Sequence, residues 1–191
     1  METDILATMP RREIIDPAAE EWRERRDLRF IVTSRRCVRH RISEAGQPCS
    51  VISVSEPPPV MEPVRFPPQF HLRDVLRLTF CDLDPINHPN ADFDAEAGNY
   101  GVPWRDLLMT NAHALQIWNF LANVKEKLLI IHCYAGISRS PSIAMAVADS
   151  LDIPRTSIIW NEDLDPAQHP PNRHVYNCVR RAFFHWKRET T

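Results

Sequence analysis

The most constraining feature of this chain is an apolar segment that runs directly into a polar turn and then into a segment of small residues. Residues 128–131 are four consecutive aliphatic residues, and residues 142–151 are rich in Ala and aliphatic side chains. Between them lies His-Cys-Tyr-Ala-Gly-Ile-Ser-Arg-Ser-Pro, residues 132–141. The run lengths and the turn residues predict a buried strand, a tight loop and a helix.

A loop between a buried strand and a helix can bind an anion. Its backbone N–H groups and the first turn of the helix point at one place. The same field favours a thiolate on Cys133, which puts a nucleophile beneath the anion. Arg139 follows Cys133 after five residues and offers a planar, charged fork for two phosphate oxygens. The alternative is a buried Cys beside a helix-capping Ser with Arg139 on the surface, and the motif in its context favours the phosphate site.

This segment resembles the signature of the cysteine-based protein tyrosine phosphatase superfamily. It is most similar to the dual-specificity-like branch, as in small tyrosine phosphatases of the bacterial type. Outside the signature, the resemblance is a matching order of elements over residues 28–151. It implies a phosphotyrosine phosphatase-like fold. The residues that carry it are His132, Cys133, Ala135, Gly136, Ser138, Arg139 and Ser140.

The chemistry expected of such a loop is attack of the Cys133 thiolate on phosphorus, followed by hydrolysis of the cysteinyl-phosphate. The resemblance implies that Ser140 donates a hydrogen bond to Cys133, which makes it a better leaving group in the second step. It gives His132 a supporting role in positioning the loop. The equatorial phosphate oxygens would be held by residues Tyr134, Ala135, Gly136, Ile137, Ser138 and Arg139.

The leaving group needs a proton, so the reaction needs a general acid. The resemblance places this acid in the loop after the third strand, where Asp82 is the first choice and Asp84 the alternative. The spacing from Asp82 to Cys133 is longer than in compact members of the family, and the segment 85–103 resembles an insertion that accounts for it. Further acidic candidates in this region are Asp92, Asp94 and Asp106.

The interior of the loop is neutral and lacks the Lys residues of phosphoinositide-directed relatives. We therefore expect a protein phosphatase that acts on phosphotyrosine or mixed phosphoprotein substrates. Nucleotides, inositol phosphates and phosphoglycans stay open as substrates.

Two other interpretations of the function are a pseudophosphatase module that binds phosphate without turnover and, less favoured, a redox enzyme. The latter would need a second Cys near Cys133, and none lies in the loop.

Composition limits the class of protein. The length of 191 residues suits one domain, which we place at residues 27–190 behind an N-terminal arm, residues 1–26, that holds a possible short helix. The net charge of −2 gives no support to nucleic-acid binding. No apolar run is long enough to span a membrane.

The five Cys are scattered along the chain, which favours a reduced, cytoplasmic protein. The His and Cys residues show no metal-ligand spacing, and the expected mechanism needs no cofactor. The oligomeric state is open.

Arginine is unevenly distributed along the chain. Residues 11–41 hold ten Arg, interleaved with Asp and Glu. The favoured interpretation is a solvated helix with internal salt bridges at residues 17–27. The other is a basic rim that attracts phosphorylated substrates. The sequence does not separate the two.

Alternation and periodicity predict an α/β three-layer sandwich, with a largely parallel sheet of four to five strands flanked by helices. The predicted strands are residues 28–32, 49–55, 74–80 and the strand before the signature loop. Residues 81–103 and 161–172 are predicted loops. Helices are predicted at residues 34–43, 104–127, 142–151, from Pro154 onward, and 174–187.

Overall fold

The computed structural model describes residues 24–58, 60–66, 68, 71–160 and 170–190. Within these residues, five parallel strands form one sheet in the order β3-β2-β4-β1-β5. The strands are β1 (Arg29–Ser34), β2 (Cys49–Ser55), β3 (Leu72–Thr79), β4 (Leu128–Cys133) and β5 (Ile158–Ile159). The α-helices are α1 (Val38–Glu44), α2 (Phe93–Ala97), α3 (Asn111–Asn123), α4 (Arg139–Ser150) and α5 (Arg173–Thr190).

The central strand β4 is buried along its whole length, because helices cover both faces of the sheet. Its side chains alternate between the two faces. Leu129 and Ile131 pack into a core that they share with α3, α4 and α5. Leu128 and Ile130 pack on the opposite face with α1 and Val64. The predicted α/β sandwich of three layers is therefore confirmed, and its sheet is entirely parallel over the described residues.

The larger core is held by α3 and α5. The buried residues of α3 are Ala114, Ile117, Trp118 and Leu121, which recur at the spacing of one helical face. Trp118 is fully buried, and its indole N–H donates to the carbonyl oxygen of Val179 on α5 at 2.9 Å. The Trp118 ring lies 4.7 Å from the Phe183 ring, centroid to centroid.

The prediction of one helix over residues 104–127 is wrong. A single 3₁₀ turn, Trp104–Leu107, is followed by extended backbone at Leu108, and α3 begins only after Thr110. Thr110 caps α3 because its hydroxyl accepts the N–H of His113, while the His113 ring accepts the N–H of Thr110 at 3.1 Å. This reciprocal capping fixes a new helix start inside a continuous apolar pattern.

Two further predictions are corrected by the structure, and a third lies mostly outside the described residues. Pro154 starts a 3₁₀ turn, Arg155–Ser157, rather than a longer helix, because the next residues pair with β1 as the edge strand β5. The predicted loop at residues 81–103 contains α2, whose start Asp92 caps by accepting the N–H of Ala95. The helix expected at residues 17–27 lies outside the described residues except for its last turn, Glu24–Asp27, which is 3₁₀.

We predict that Trp118→Ala lowers the free energy of unfolding by about 3–5 kcal/mol, because it empties a fully buried indole site between α3 and α5. Urea unfolding followed by circular dichroism measures the change. The control is Phe184→Ala on the exposed side of α5, which should change stability by roughly 0.5 kcal/mol or less. Equal losses in the two variants would contradict this account of the core.

Candidate active site

The candidate site lies at the carboxyl edge of the sheet. Parallel strands all present their carboxyl ends at one edge, and a crevice forms there where the strand order reverses. Three neighbouring strands, β3, β2 and β4, end there. Cys133 is the last residue of β4, Glu56 directly follows β2, and Phe80 directly follows β3. Residues from three separated parts of the sequence are therefore brought together by the topology.

The signature loop, residues 133–139, folds back onto the end of β1. Gly136 has a φ of +78°, in the left-handed region that favours glycine. A Cβ atom there would lie 2.6–2.7 Å from backbone atoms of Thr33 and Ser34, so the close approach excludes any side chain. The N–H of Arg35, the residue after β1, donates to the carbonyl oxygen of Tyr134 at 3.0 Å. The shape of the loop thus depends on β1 as well as on β4 and α4.

Cys133 and Ser140 meet at the base of this loop. Both are buried, and the Cys133 sulfur lies 3.2 Å from the Ser140 hydroxyl oxygen. Helix α4 begins at Arg139, so Ser140 sits in its first turn and faces back toward the end of β4. The hydroxyl is placed to hydrogen-bond a sulfur that carries negative charge.

Arg139 is a buried charge with several acceptors around it. Only 1 % of the residue is exposed. One terminal nitrogen donates to the Phe80 carbonyl oxygen at 2.8 Å, and the other donates to a Glu56 carboxylate oxygen at 3.3 Å. Its Nε lies 3.6 Å from a carboxylate oxygen of Asp82, and it has no hydrogen-bond acceptor among the described residues. This N–H group is itself buried, and the Asp82 carboxylate is its neighbouring charge.

Asp82 neighbours Arg139 and is held by two hydrogen-bond donors. The Ser138 hydroxyl donates to one of its carboxylate oxygens at 2.7 Å, and the side-chain amide of Asn172 donates to the same oxygen at 3.0 Å. The side chain remains 33 % exposed. The carboxyl group therefore has a fixed orientation beside the loop and access to solvent.

Asp84 has a different environment from Asp82. Its carboxylate is buried and accepts the backbone N–H groups of Arg173 and His174, the first residues of α5. It also accepts the N–H groups of Ile86 and Asn87 in its own loop. These contacts make it a cap for α5 and a brace for the loop. Of the other acidic candidates, Asp92 caps α2, whereas Asp94 and Asp106 are exposed.

His132 points to the opposite face of the sheet from Cys133. It is 1 % exposed, and its Nε2 lies 2.8 Å from the Ser53 hydroxyl on β2. Its ring packs edge-on against Phe66, with centroids 5.9 Å apart. Burial, with a smaller contribution from the positive charges of Arg35, Arg77 and Arg139, lowers the pKa of His132 to about 4. The imidazole is therefore neutral at physiological pH and braces β4 against β2.

Sequence reasoning missed three residues of this site. Glu56 holds Arg139, and the Tyr100 hydroxyl donates to the other oxygen of Glu56 at 3.1 Å. Burial raises the pKa of Tyr100, which keeps its phenol protonated as a donor. Asn172 caps α5 by accepting the N–H of Val175 while its amide holds Asp82. The position of Glu56 directly after a buried strand is a signal that could have identified it, whereas Tyr100 has no such signal.

The described residues contain neither a metal-binding cluster nor a membrane-spanning helix. No group of three His, Cys, Asp or Glu side chains in them is arranged to bind a metal ion. None of their helices has the length and apolar character needed to cross a bilayer. Comparison with protein-family models, curated proteins and solved structures finds no match to this chain. The assignment of a function therefore depends on the geometry of the site and on the resemblance of the loop.

We predict that acid destabilises the protein through His132. Below pH 6.5 the unfolded chain binds a proton on this imidazole, whereas the folded protein resists protonation until about pH 4. The free energy of unfolding should therefore fall as the pH drops through this window, by on the order of 3 kcal/mol from this group. Urea unfolding of the wild type and of His132→Gln between pH 7 and pH 4 measures the difference.

In His132→Gln that part of the pH dependence should disappear. The control is His88→Gln, at an exposed position, which should keep the wild-type slope. If the free energy of unfolding of His132→Gln falls with pH as steeply as that of the wild type, other groups cause the acid destabilisation.

Proposed function

We propose that this protein hydrolyses phosphate monoesters through a cysteinyl-phosphate intermediate, with phosphotyrosine or mixed phosphoproteins as substrates. The observation that carries the proposal is the meeting of Cys133, Arg139 and Asp82 at one edge of the sheet. These residues supply a nucleophile, a cation and a carboxyl group, which are the three groups that the reaction needs. The resemblance of residues 132–140 to the phosphatase signature supports the same conclusion.

In the first step, the Cys133 thiolate attacks phosphorus in line with the leaving oxygen. Charge on the three equatorial oxygens is stabilised by the N–H groups of the loop and by the guanidinium of Arg139. Glu56 and the Phe80 carbonyl hold the rest of the guanidinium, so its orientation is fixed before substrate binds. A bound phosphate dianion also competes with Asp82 for Arg139.

Asp82 then gives its proton to the leaving oxygen. In the second step a water molecule attacks the cysteinyl-phosphate, Asp82 takes up the proton of that water, and the sulfur leaves as a thiolate. Ser140 lies 3.2 Å from the sulfur and stabilises this charge as the bond breaks. The phosphoryl group is transferred first to the Cys133 sulfur and then to water. At the end of the cycle Cys133 is again a thiolate and Asp82 is again protonated.

The state of the cysteines supports a cytoplasmic location as part of the proposal. All five are free thiols, including the buried Cys49 and Cys178. Proteins with unpaired thiols suit a compartment that keeps them reduced. A reduced environment also suits a mechanism that depends on a free Cys133.

We predict that Cys133→Ser abolishes hydrolysis of p-nitrophenyl phosphate and retains binding of phosphate. A Ser hydroxyl stays protonated and is a poor nucleophile, whereas the loop N–H groups and Arg139 are unchanged. Turnover in buffer with EDTA and dithiothreitol and calorimetric binding of inorganic phosphate measure the two properties. Cys37→Ser, outside the loop, serves as the control and should keep full activity. Turnover in Cys133→Ser would exclude the covalent mechanism, and a wild type that binds phosphate without turnover would be a binding module.

We predict that Asp82→Asn slows phosphotyrosine hydrolysis by about 100-fold or more, because the tyrosyl oxygen departs only with a proton. Hydrolysis of p-nitrophenyl phosphate should change far less, since its leaving group departs unprotonated. The basic limb of the pH–rate profile should flatten in this variant. Steady-state kinetics on both substrates across pH measure the effect.

Two other acidic residues test the assignment of the acid. Asp94→Asn is the matched exposed control and should behave as wild type. Asp84→Asn should lower stability through its contacts with α5 and should change the ratio of the two substrates far less than Asp82→Asn does. A dependence on the leaving group that follows Asp84 would overturn the assignment of Asp82.

A further inference from the structure

The segment between β3 and α3 forms a small packed unit beside the candidate active site. The N–H of Cys81 donates to the carbonyl oxygen of Leu107 at 2.8 Å, which closes the base of the segment. The segment contains α2 and an apolar cluster of its own, whose buried members are Cys81, Leu83, Phe93, Ala97 and Leu107. Tyr100 packs against this cluster just after α2, and its N–H donates to the carbonyl oxygen of Ala97 at 2.9 Å. The position of Tyr100 is therefore set by a packed core.

The hydroxyl of Tyr100 links this unit to the acceptors around Arg139. It donates to one carboxylate oxygen of Glu56 at 3.1 Å, while the other oxygen of Glu56 accepts from Arg139 at 3.3 Å. It is also in hydrogen-bonding contact with the thiol of Cys81, the residue before Asp82. Glu56 is thus held between two donors, one on each oxygen, and only 22 % of its side chain is exposed.

A donor on each oxygen fixes the plane of the Glu56 carboxylate. The last bond of a glutamate side chain has a broad rotational preference, so one donor alone leaves the carboxylate free to turn. A turn of the carboxylate would move the guanidinium of Arg139 that it holds. The recognition of phosphate by a guanidinium depends on the direction of its N–H groups, and hydrogen bonds from surrounding residues keep such groups in the productive orientation.

We propose that Tyr100 is a positioning residue of the candidate active site: through Glu56 it fixes the orientation of Arg139 and thereby strengthens phosphate binding. The inference rests on the proposed function, because it names a residue that supports that same site. Arg139 acts on the phosphoryl group that is transferred and not on the leaving group. The effect of Tyr100 on the rate should therefore be the same for good and poor leaving groups, in contrast to the effect of Asp82.

The chain contains a second set of three residues with the same arrangement, which provides a matched control. The Tyr176 hydroxyl donates to the Asp149 carboxylate at 2.6 Å, and Arg155 donates to the two oxygens of that carboxylate at 2.7 and 3.0 Å. Asp149 lies near the end of α4, whereas Arg139 is its first residue. Loss of the Tyr176 hydroxyl removes a hydrogen bond of the same type far from the signature loop.

The first test compares Tyr100→Phe with Tyr176→Phe. Each variant keeps the ring and removes only the hydroxyl, and urea unfolding verifies that both are folded. We expect Tyr100→Phe to lower kcat/KM by roughly fivefold to tenfold, equally for phosphotyrosine and for p-nitrophenyl phosphate, whereas Tyr176→Phe should keep the wild-type rate. An unchanged rate in Tyr100→Phe would overturn the proposal. A loss confined to phosphotyrosine would also overturn it, because the effect would then act through Asp82.

A double-mutant cycle tests whether Tyr100 acts through Glu56. Glu56→Ala removes the carboxylate that joins the phenol to Arg139. In that background Tyr100→Phe should change kcat/KM by about twofold or less, because the link is already broken. A loss in the Glu56→Ala background as large as in the wild type would show that Tyr100 acts by another route, and the proposal would fail.

Binding separates this inference from the proposed function. Inorganic phosphate is titrated into Cys133→Ser by calorimetry, with and without Tyr100→Phe, and the affinity should fall by roughly fivefold to tenfold. If the wild type hydrolyses neither substrate yet phosphate binding weakens in this way, the proposed function fails and the role of Tyr100 stands. If hydrolysis occurs and Tyr100→Phe changes neither the rate nor the affinity, the role of Tyr100 fails and the proposed function stands.

Discussion

The buried guanidinium of Arg139 is the interaction on which the rest of the site depends. A cation removed from water loses its hydration, and only well-placed acceptors compensate for that loss. The fold provides them from the ends of two strands. The Phe80 carbonyl and the Asp82 carboxylate follow β3, and Glu56 follows β2. Loss of both carboxylates, Glu56 and Asp82, would leave the positive charge uncompensated in the interior. The need to satisfy Arg139 therefore ties the loops after β2 and β3 to the loop after β4.

The two acidic residues of the loop after β3 show how the same side chain serves different purposes. Asp84 is buried and accepts the N–H groups at the start of α5. It thereby fixes Asn172, the residue just before α5, whose amide holds Asp82. A helix cap thus positions the carboxyl group that faces Arg139. On the proposed function, Asp84 acts on the reaction only through this chain of contacts, and Asp82 acts directly.

Local patterns were enough to predict most of the fold and the centre of the site. The aliphatic run before Cys133 gave the central strand, and β2 was predicted with the bounds that the structure shows. Two of the errors, a helix through Thr110 and a helix after Pro154, arose where capping or pairing with a distant strand outweighed local periodicity. Glu56 and Tyr100 were missed because their roles depend on contacts between residues far apart in the sequence. The roles of Cys133, Arg139 and Asp82 stay predictions until activity is measured.

The end of β1 contacts the signature loop and also adjoins a cavity lined by Arg35, Arg36, Arg39 and Arg65. The backbone of Thr33 and Ser34 leaves room for Gly136 only because that residue has no side chain. One residue later, Arg35 bonds to the loop through its N–H and lines the cavity with its side chain. The loop and the cavity therefore share one rigid support, the strand β1, which pairs with β4 along its whole length.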